Sequence, residues 1–220
     1  MNKIKNNNAH FAVKLTLLIT SAMTMMAFAP LSAALPEIAR EFSNNNNNID
    51  FIIKLSFTIP SLAIIVTSPF YGILIDYTGR KKLLIFSLFL YGISGTIVIF
   101  ITSIEEFIIC RVISGIALSG IMTTSTTLVG DNFSGISRQR FMSHRGAFVN
   151  YSAVILNLIG GLLATFNWRT VFLVYIIGLL MIPFTVKTIV SEKIKPNSII
   201  KNKFNYKDNI PIMLLIIGLL

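Results

Sequence analysis

Residues 70–86 read FYGILIDYTGRKKLLIF and place four charged side chains, Asp76, Arg80, Lys81 and Lys82, between two strongly apolar stretches. An unpaired carboxylate at the edge of a membrane is costly, and acidic residues contribute little to membrane topology. We therefore expect Asp76 to be paired. Its nearest candidate partner is Arg80, four residues later.

The composition on either side of this charged island indicates a membrane protein. Of the 220 residues, 54% are hydrophobic and only 13% are charged, and the mean hydropathy is +0.74. A water-soluble domain does not need so much apolar material to fill one core. Apolar segments of about twenty residues recur along the chain, which matches the thickness of a bilayer. A segment inside a bilayer must satisfy its own backbone, so these segments are predicted to be helices.

The apolar segments predict an all-α fold with six transmembrane helices and the start of a seventh. A cytoplasmic tail at 1–10 precedes the six-helix unit at 11–190, which a cytoplasmic linker at 191–209 joins to the apolar run at 210–220. The run Asn44 to Asn48 predicts a loop, and residues 130–146 are expected to connect the fourth and fifth helices. The expected spans are roughly 11–35, 51–75, 83–102, 107–130, 147–166 and 170–190.

The distribution of Lys and Arg predicts which ends of the helices face the cytoplasm. With the amino terminus inside, 15 of the 19 basic residues fall in cytoplasmic segments, three fall outside and Arg111 lies within a span. Positive charge is enriched in cytoplasmic loops, so this asymmetry places the amino terminus in the cytoplasm. The connection containing Asp76 and Arg80 is then a cytoplasmic turn.

Several other classes of protein are disfavoured by the sequence. The single cysteine, Cys110, excludes an internal disulfide, and His10 and His144 are too isolated to suggest a metal site. No basic stripe with interleaved aromatics indicates nucleic-acid binding. No span presents a nucleophile together with a base, so we do not expect an enzyme. The first apolar run is too long for a cleaved signal peptide.

The turn between the second and third spans contains two glycines with distinct expected roles. Gly79 lies between Asp76 and Arg80 and permits a tight helix-to-helix turn that a bulkier residue would resist. Gly72 suggests that another helix approaches closely at the same level. Together these residues predict a rigid, charged corner able to lock in one conformation and release in another.

This corner resembles the signature of the major facilitator superfamily of secondary transporters, G-x-L-x-D-x-x-G-R-[RK]. All six defined positions match, at Gly72, Leu74, Asp76, Gly79, Arg80 and Lys81. In that family the signature is a conformational latch that holds the two halves together on the cytoplasmic side. The resemblance implies a latch here, with no cofactor and no bound metal.

Two further stretches are similar to the drug:proton antiporter branch of that family. The first span ends APLSAALPEIAREF, with Pro30 and Pro36 at the family's proline positions. The fourth contains CRVISGIALSG, where Arg111 and Gly115 match an R-x-x-x-G pattern. The resemblance implies that Arg111 is buried, faces the central cavity and tunes a proton-binding partner. The residue alone also fits a snorkelling anchor near the helix end.

The fifth span matches the same branch only in part. It ends LIGGLLATFNWRTVF, whose Gly160 and Gly161 correspond to the final Gly pair of the branch's G-x-x-x-G-P-x-x-G-G motif and are predicted helix-packing residues. The earlier positions of that motif are Ser152, Leu156 and Asn157 here. No carboxylate lies in the interior of a span as an evident proton carrier.

An internal repeat supports the same architecture. Gly72, Leu74 and Arg80 recur as Gly161, Leu163 and Arg169, with an offset of 89 between the two sets at each position. The first corner is predicted to be cytoplasmic and the second external. Two three-helix units of opposite orientation are what an inverted repeat requires.

The function implied by the resemblance is secondary active transport of small organic solutes. We expect multidrug-type, proton-coupled efflux across a bacterial inner membrane, with cavity positions that include Met23, Met26, Met122 and Thr126. The alternatives are uptake of a metabolite, and a truncated remnant or structural membrane partner without transport activity. The family has twelve or more helices, so the implied partners are the lipid bilayer, a small-molecule substrate and either a carboxy-terminal half or a second copy.

Overall fold

The computed structural model describes residues 7–42 and 49–189, which are almost entirely helical. Six long helices and two 3-10 segments follow one another. They are α1 (Asn7–Phe42), α2 (Ile49–Thr78), α3 (Arg80–Ile97), a 3-10 turn (Val98–Phe100), α4 (Ile104–Asn132), α5 (Gly135–Phe166), a 3-10 helix (Trp168–Tyr175) and α6 (Ile176–Thr188). Each of the six predicted spans corresponds to one of them, and all six helices, α3 and α6 counted with their adjoining 3-10 segments, are long and apolar enough to cross a membrane.

Most of these helices are longer than a bilayer requires. At 1.5 Å per residue the 36 residues of α1 extend about 54 Å, whereas the hydrocarbon core is about 30 Å thick. Pro30 and Pro36 lie inside α1, and Pro60 and Pro69 lie inside α2. Prolines are tolerated in such helices because neighbouring groups satisfy the carbonyls that they free.

The helices are joined by short turns whose residues explain where each helix ends. Gly79 has φ +84° and separates α2 from α3 with a single residue, as its sequence predicts. The hydroxyl of Ser103 accepts a hydrogen bond from the backbone N–H of Glu106 at 3.2 Å and begins α4. Asn167 accepts one from the N–H of Arg169 at 2.9 Å and begins the 3-10 helix.

The connection between the fourth and fifth spans is much shorter than the sequence predicts. The polar stretch 130–146 is helical at both ends, and only Phe133 and Ser134 separate α4 from α5. Hydropathy marks the limits of the apolar core and not those of the helix, so residues of adequate helix propensity beyond the bilayer were wrongly assigned to the loop.

The two three-helix units, α1–α3 and α4–α6, pack mainly against each other. Helix α5 packs along α1, α4 packs along α2 and α3, and α3 packs along α6. Of the most apolar 18 residues in each helix, only 17% in α2 and 11% in α5 are buried, against 39–61% in the other four. Helices α2 and α5 are the middle helices of the two three-helix units. The largest share of their apolar residues is left unburied by the rest of the described structure.

Three predicted segments lie outside the described residues. They are the loop at Asn44 to Asn48, the linker at 191–209 and the run at 210–220.

Candidate functional site

The α2–α3 corner, which comprises residues 72–82, contains an ion pair between two separate helices. The Nε of Arg80, at the first residue of α3, lies 2.5 Å from Oδ2 of Asp131, in the last turn of α4. Both side chains are partly exposed, at 34% and 26% of their surface. The positive φ of Gly79 sets the direction in which Arg80 leaves the turn. The corner thus joins the first three-helix unit, α1–α3, to the second, α4–α6, at the end of α4.

The predicted pairing of Asp76 with Arg80 is wrong. Asp76 is exposed at the end of α2, and within the described chain its carboxylate forms no ion pair or hydrogen bond. Arg80 contacts Asp131 because the left-handed turn at Gly79 starts a new helix, so the two residues do not share one helix face. The carboxylate of Asp76 is therefore available to a group outside the described chain.

The other signature residues occupy the same corner in different ways. The Nζ of Lys81 donates a hydrogen bond to the carbonyl of Val186, in the last turn of α6, at 2.6 Å. Leu74 is exposed. Gly72 is exposed too, and a Cβ built on it meets no described atom within 4 Å, so the close helix expected there is absent from the described part of the chain.

A second charged corner lies at the opposite end of the bundle, at residues 167–169 between α5 and α6. The Nη1 of Arg169 pairs with Oε1 of Glu41, in the last turn of α1, at 3.2 Å. Its Nη2 donates to the carbonyl of Ile101, just after α3, at 3.1 Å. We call this the α5–α6 corner.

The two corners make equivalent contacts in the two three-helix units. In the repeat, α1, α2 and α3 correspond to α4, α5 and α6, and each corner contacts the first and third helices of the other unit. The α2–α3 corner binds the ends of α4 and α6, through Asp131 and Val186. The α5–α6 corner binds the ends of α1 and α3, through Glu41 and Ile101. The offset of 89 between Arg80 and Arg169 therefore reflects an inverted repeat in the structure.

Arg111 is completely buried in α4, which excludes the snorkelling anchor. Its Nη1 donates a hydrogen bond to the hydroxyl of Tyr175 at 2.9 Å. Its guanidinium carbon lies 5.5, 5.0 and 5.3 Å from the ring centroids of Phe107, Phe172 and Tyr175. These contacts are cation–π interactions, which strengthen when the cation is removed from water.

No carboxylate neutralises this charge among the residues that the structure describes. The Nε and Nη2 of Arg111 are buried without a hydrogen-bond partner. Tyr175 also approaches the Ala27 carbonyl of α1 at 3.5 Å and stacks on Tyr91 of α3 at 4.6 Å. A buried guanidinium with free donors can hold an anion or stabilise a carboxylate that reaches it.

The predicted packing residues separate into close contacts and open positions. A Cβ built on Gly115 would lie 2.7 Å from the backbone of Pro60, so α4 and α2 cross closely there. A Cβ on Gly160 would lie 2.5 Å from Cα of Pro30, where α5 crosses α1. Around Gly161 no described atom lies within 4 Å, and Pro36 is exposed.

The predicted cavity residues also differ in exposure. Met23 is completely buried and Met26 is 8% exposed, so both belong to the interior of the helical bundle. Met122 is partly exposed and Thr126 is exposed. The Thr126 hydroxyl accepts a hydrogen bond from Nη1 of Arg145 at 3.0 Å. Of the four, only Met122 and Thr126 present substantial surface to a possible solute.

Sequence reasoning missed Asp131, Glu41 and Tyr175 as partners of the three arginines. The sequence did contain a signal for the two acids. Each lies at the end of the first helix of its three-helix unit, and the two are 90 residues apart, close to the offset of the repeat. Tyr175 carried no such signal. Within the described ranges, no group of three or more His, Cys, Asp or Glu side chains is arranged to hold a metal.

These features define an integral multi-pass membrane protein built from two inverted three-helix units. The chain belongs to the Major Facilitator Superfamily, whose family model matches residues 17–216. Membership confirms the family resemblance that the α2–α3 corner indicated, and with it the all-α membrane fold predicted from the apolar segments.

Individual relatives and solved structures are similar at low identity. The vacuolar basic amino acid transporter 1 of Saccharomyces cerevisiae is 26% identical over 163 residues, covering 74% of this chain and 28% of that protein. The quinolone resistance protein NorB of Staphylococcus aureus is 25% identical over 205 residues, covering 92% and 43%. The chain spans less than half the length of these curated relatives.

The fold is shared with the proton:xylose symporter XylE of E. coli. Its complex with 6-bromo-6-deoxy-D-glucose superimposes with a TM-score of 0.73 at 17% identity, over 83% of this chain and 45% of the symporter.

Proposed function

We propose that this chain acts in secondary active transport, as the part of a transporter that exports small organic solutes by alternating access, driven by protons. The observation that carries this proposal is the α2–α3 corner. There the Arg80–Asp131 pair and the φ +84° turn at Gly79 form a rigid element with an exposed carboxylate beside it. A rigid element with an exposed carboxylate suits a contact that is made in one state and broken in another.

Export is favoured over uptake by the names of the relatives. NorB and the multidrug resistance protein 2 of Bacillus subtilis, 24% identical over 168 residues, are named for resistance, which a transporter would provide by removing a compound from the cell. We propose the same direction here, in a bacterial inner membrane with the amino terminus in the cytoplasm. The 15 basic residues on the predicted inner side support that orientation.

Assembly with a second six-helix unit is proposed from the open surfaces of α2 and α5. These helices expose large apolar side chains, among them Leu62, Val66, Ile155, Leu158 and Leu162. A second unit, either a carboxy-terminal half or a second copy, would provide the opposite wall of a transport path. A protein with a purely structural role would use the same surface to bind its partner. It would differ from a transporter in moving no solute.

The test measures proton-driven accumulation of a fluorescent quinolone by everted vesicles that contain the chain, alone or with a co-expressed carboxy-terminal half. Asp76→Asn should lower the transport rate by about tenfold or more, since loss of one gate contact is worth at least about 1.4 kcal/mol. Asp131→Asn, which breaks the pair with Arg80, should do the same.

Lys82→Gln is the matched control, because Lys82 is an exposed charge in the same corner. Its transport should stay near that of the unmodified protein at equal abundance. Equal losses in all three variants would return the corner to the role of a topology anchor, and no transport in any assembly would favour the structural role.

A further inference from the structure

The guanidinium of Arg145 crosses from α5 to α4 near the end of the bundle that is predicted to be cytoplasmic. Its Nη1 donates to the Thr126 hydroxyl at 3.0 Å, and its Nη2 donates to the Ser125 hydroxyl at 3.3 Å. Nη1 also lies 4.0 Å from the sulfur of Met142, one turn earlier on α5. The side chain is held in one place by two neutral hydroxyls.

The positive charge of Arg145 has no acidic partner within the described part of the chain. At this end of the bundle Arg80 is paired with Asp131, whereas the described contacts of Arg145 are with hydroxyls and a thioether. A guanidinium has five N–H donors, and three contacts leave donors free. Those donors form a fork that matches the geometry of a carboxylate.

The position of this guanidinium does not fit an arginine that anchors the helix at the membrane surface. Such an arginine extends towards the lipid headgroups, but Arg145 reaches across to Ser125, which is completely buried. Thr126 beside it is exposed, so the site is open on one side and fixed on the other. Arg138, seven residues earlier on α5, also faces α4, with its Nη2 3.7 Å from a Cβ built on Gly130. Two guanidinium groups of α5, one of them exposed, thus lie beside this end of α4.

We propose that Arg145, held by Ser125 and Thr126, binds the carboxylate of the transported solute, and that the protein therefore selects amphipathic solutes that carry one. This inference rests on the proposed transport function and names its substrate class. The bidentate face of Arg145 orients the acidic end of the solute at the cytoplasmic entrance. The hydroxyl of Thr126 supplies a further hydrogen bond.

The test is equilibrium binding by the purified chain in phosphatidylcholine nanodiscs, with a fluorescent quinolone carboxylic acid and its methyl ester as matched probes. The ester keeps the ring system and lacks the negative charge. The unmodified protein should bind the acid more tightly, and Arg145→Gln should weaken acid binding by about tenfold to a hundredfold, as expected for loss of charged hydrogen bonds. Ester binding should change by less than about twofold.

Arg140→Gln is the control, because Arg140 is exposed on the same helix and its removal changes the net charge equally. It should leave both affinities unchanged. Thr126→Val, which removes one hydroxyl and keeps the side-chain shape, should weaken acid binding by several-fold and is the variant to use if Arg145→Gln fails to fold.

Equal affinity of the unmodified protein for acid and ester would overturn the assignment of this site. So would equal losses in Arg145→Gln and Arg140→Gln. Binding does not require transport, so acid selectivity in a protein that moves no solute would support this site and count only against the proposed function.

Discussion

Among the residues that the structure describes, aromatic rings and not an acid stabilise the buried charge of Arg111. A single phenol hydroxyl accepts one of its five N–H donors, and three aromatic faces surround its guanidinium. Each cation–π contact is worth about 2 kcal/mol when desolvated, whereas removing an isolated cation from water costs several kcal/mol. The aromatic residues therefore offset much of that cost but leave donors available for another group.

Tyr175→Phe tests this balance because it removes the hydroxyl and keeps the ring. The guanidinium would lose its hydrogen bond, so we expect a loss of about 1.5–3 kcal/mol in the free energy of unfolding and a lower Tm in detergent. Tyr91→Phe is the comparison, since the Tyr91 hydroxyl donates to an uncharged group, the Met23 carbonyl, at 3.2 Å. Tyr91→Phe should lower the free energy of unfolding by about 0.5–1.5 kcal/mol. A smaller loss in Tyr175→Phe than in Tyr91→Phe would contradict this description of Arg111.

At this scale the sequence predicts conformations better than partners. The requirement for Gly79 follows from local geometry, since only glycine readily adopts its positive φ. The pairing of Arg80 with Asp131 depends on two helix ends 51 residues apart, which no local spacing encodes. The position of Arg111 fitted both a lipid-facing anchor and a buried site until packing decided between them.

Helices α1 and α5, and likewise α2 and α4, approach most closely where a glycine faces a proline. Gly160 meets Pro30, and Gly115 meets Pro60. A proline frees a carbonyl in its own helix, and a glycine opposite lets the second backbone come near. Each unit contributes one helix to each crossing, so these contacts join the two repeats.

Gly160→Ala and Gly115→Ala should both destabilise the bundle, since the added methyl group would lie within 2.7 Å of proline backbone. The helices would have to separate, at a cost of about 1–3 kcal/mol. Gly161→Ala is the matched control because the described structure leaves open space there. It should be neutral or stabilising, by up to about 1 kcal/mol from helix propensity. Thermal unfolding in detergent measures all three, and a control as destabilised as the test variants would show that packing is not the cause.

Hydropathy located the six helices but not their ends. A hydropathy pattern does not detect helical turns made of polar residues beyond the apolar segment. The start of α5, around Arg138 and Arg140, is an example. The same limitation hides the contacts of Arg145 with α4, because hydropathy alone places this residue in a connecting loop.

At the scale of the whole molecule, the two corners fasten each three-helix unit to the other at opposite ends. Arg80 and Lys81 bind the second unit, and Arg169 binds the first. Six helices tied at both ends move together as one body. In the proposed transporter, large relative motion is therefore expected at the open faces of α2 and α5, against the proposed second unit.

The orientation of this body can be measured with two positions at opposite ends of α5. In a Cys110→Ala background, Thr165→Cys should react with a membrane-impermeant maleimide in intact cells, because the end of α5 is predicted to be external. Ser137→Cys, at the beginning of the same helix, should react only after permeabilisation. Both residues are exposed in the structure. The reverse labelling pattern would invert the topology and place the α2–α3 corner outside.

The chain has one tryptophan, and its position makes the α5–α6 corner optically visible. Trp168 is 4% exposed, packs edge-on against Phe42, Phe107 and Phe172, and lies 4.4 Å from the guanidinium of Arg169. Phe107 and Phe172 are also walls of the Arg111 site. We therefore expect the emission of Trp168 to respond both to the ion pair between Arg169 and Glu41 and to the surroundings of the buried guanidinium. The protein contains its own spectroscopic reporter, at the place where its charged corner and its buried cation share two aromatic rings.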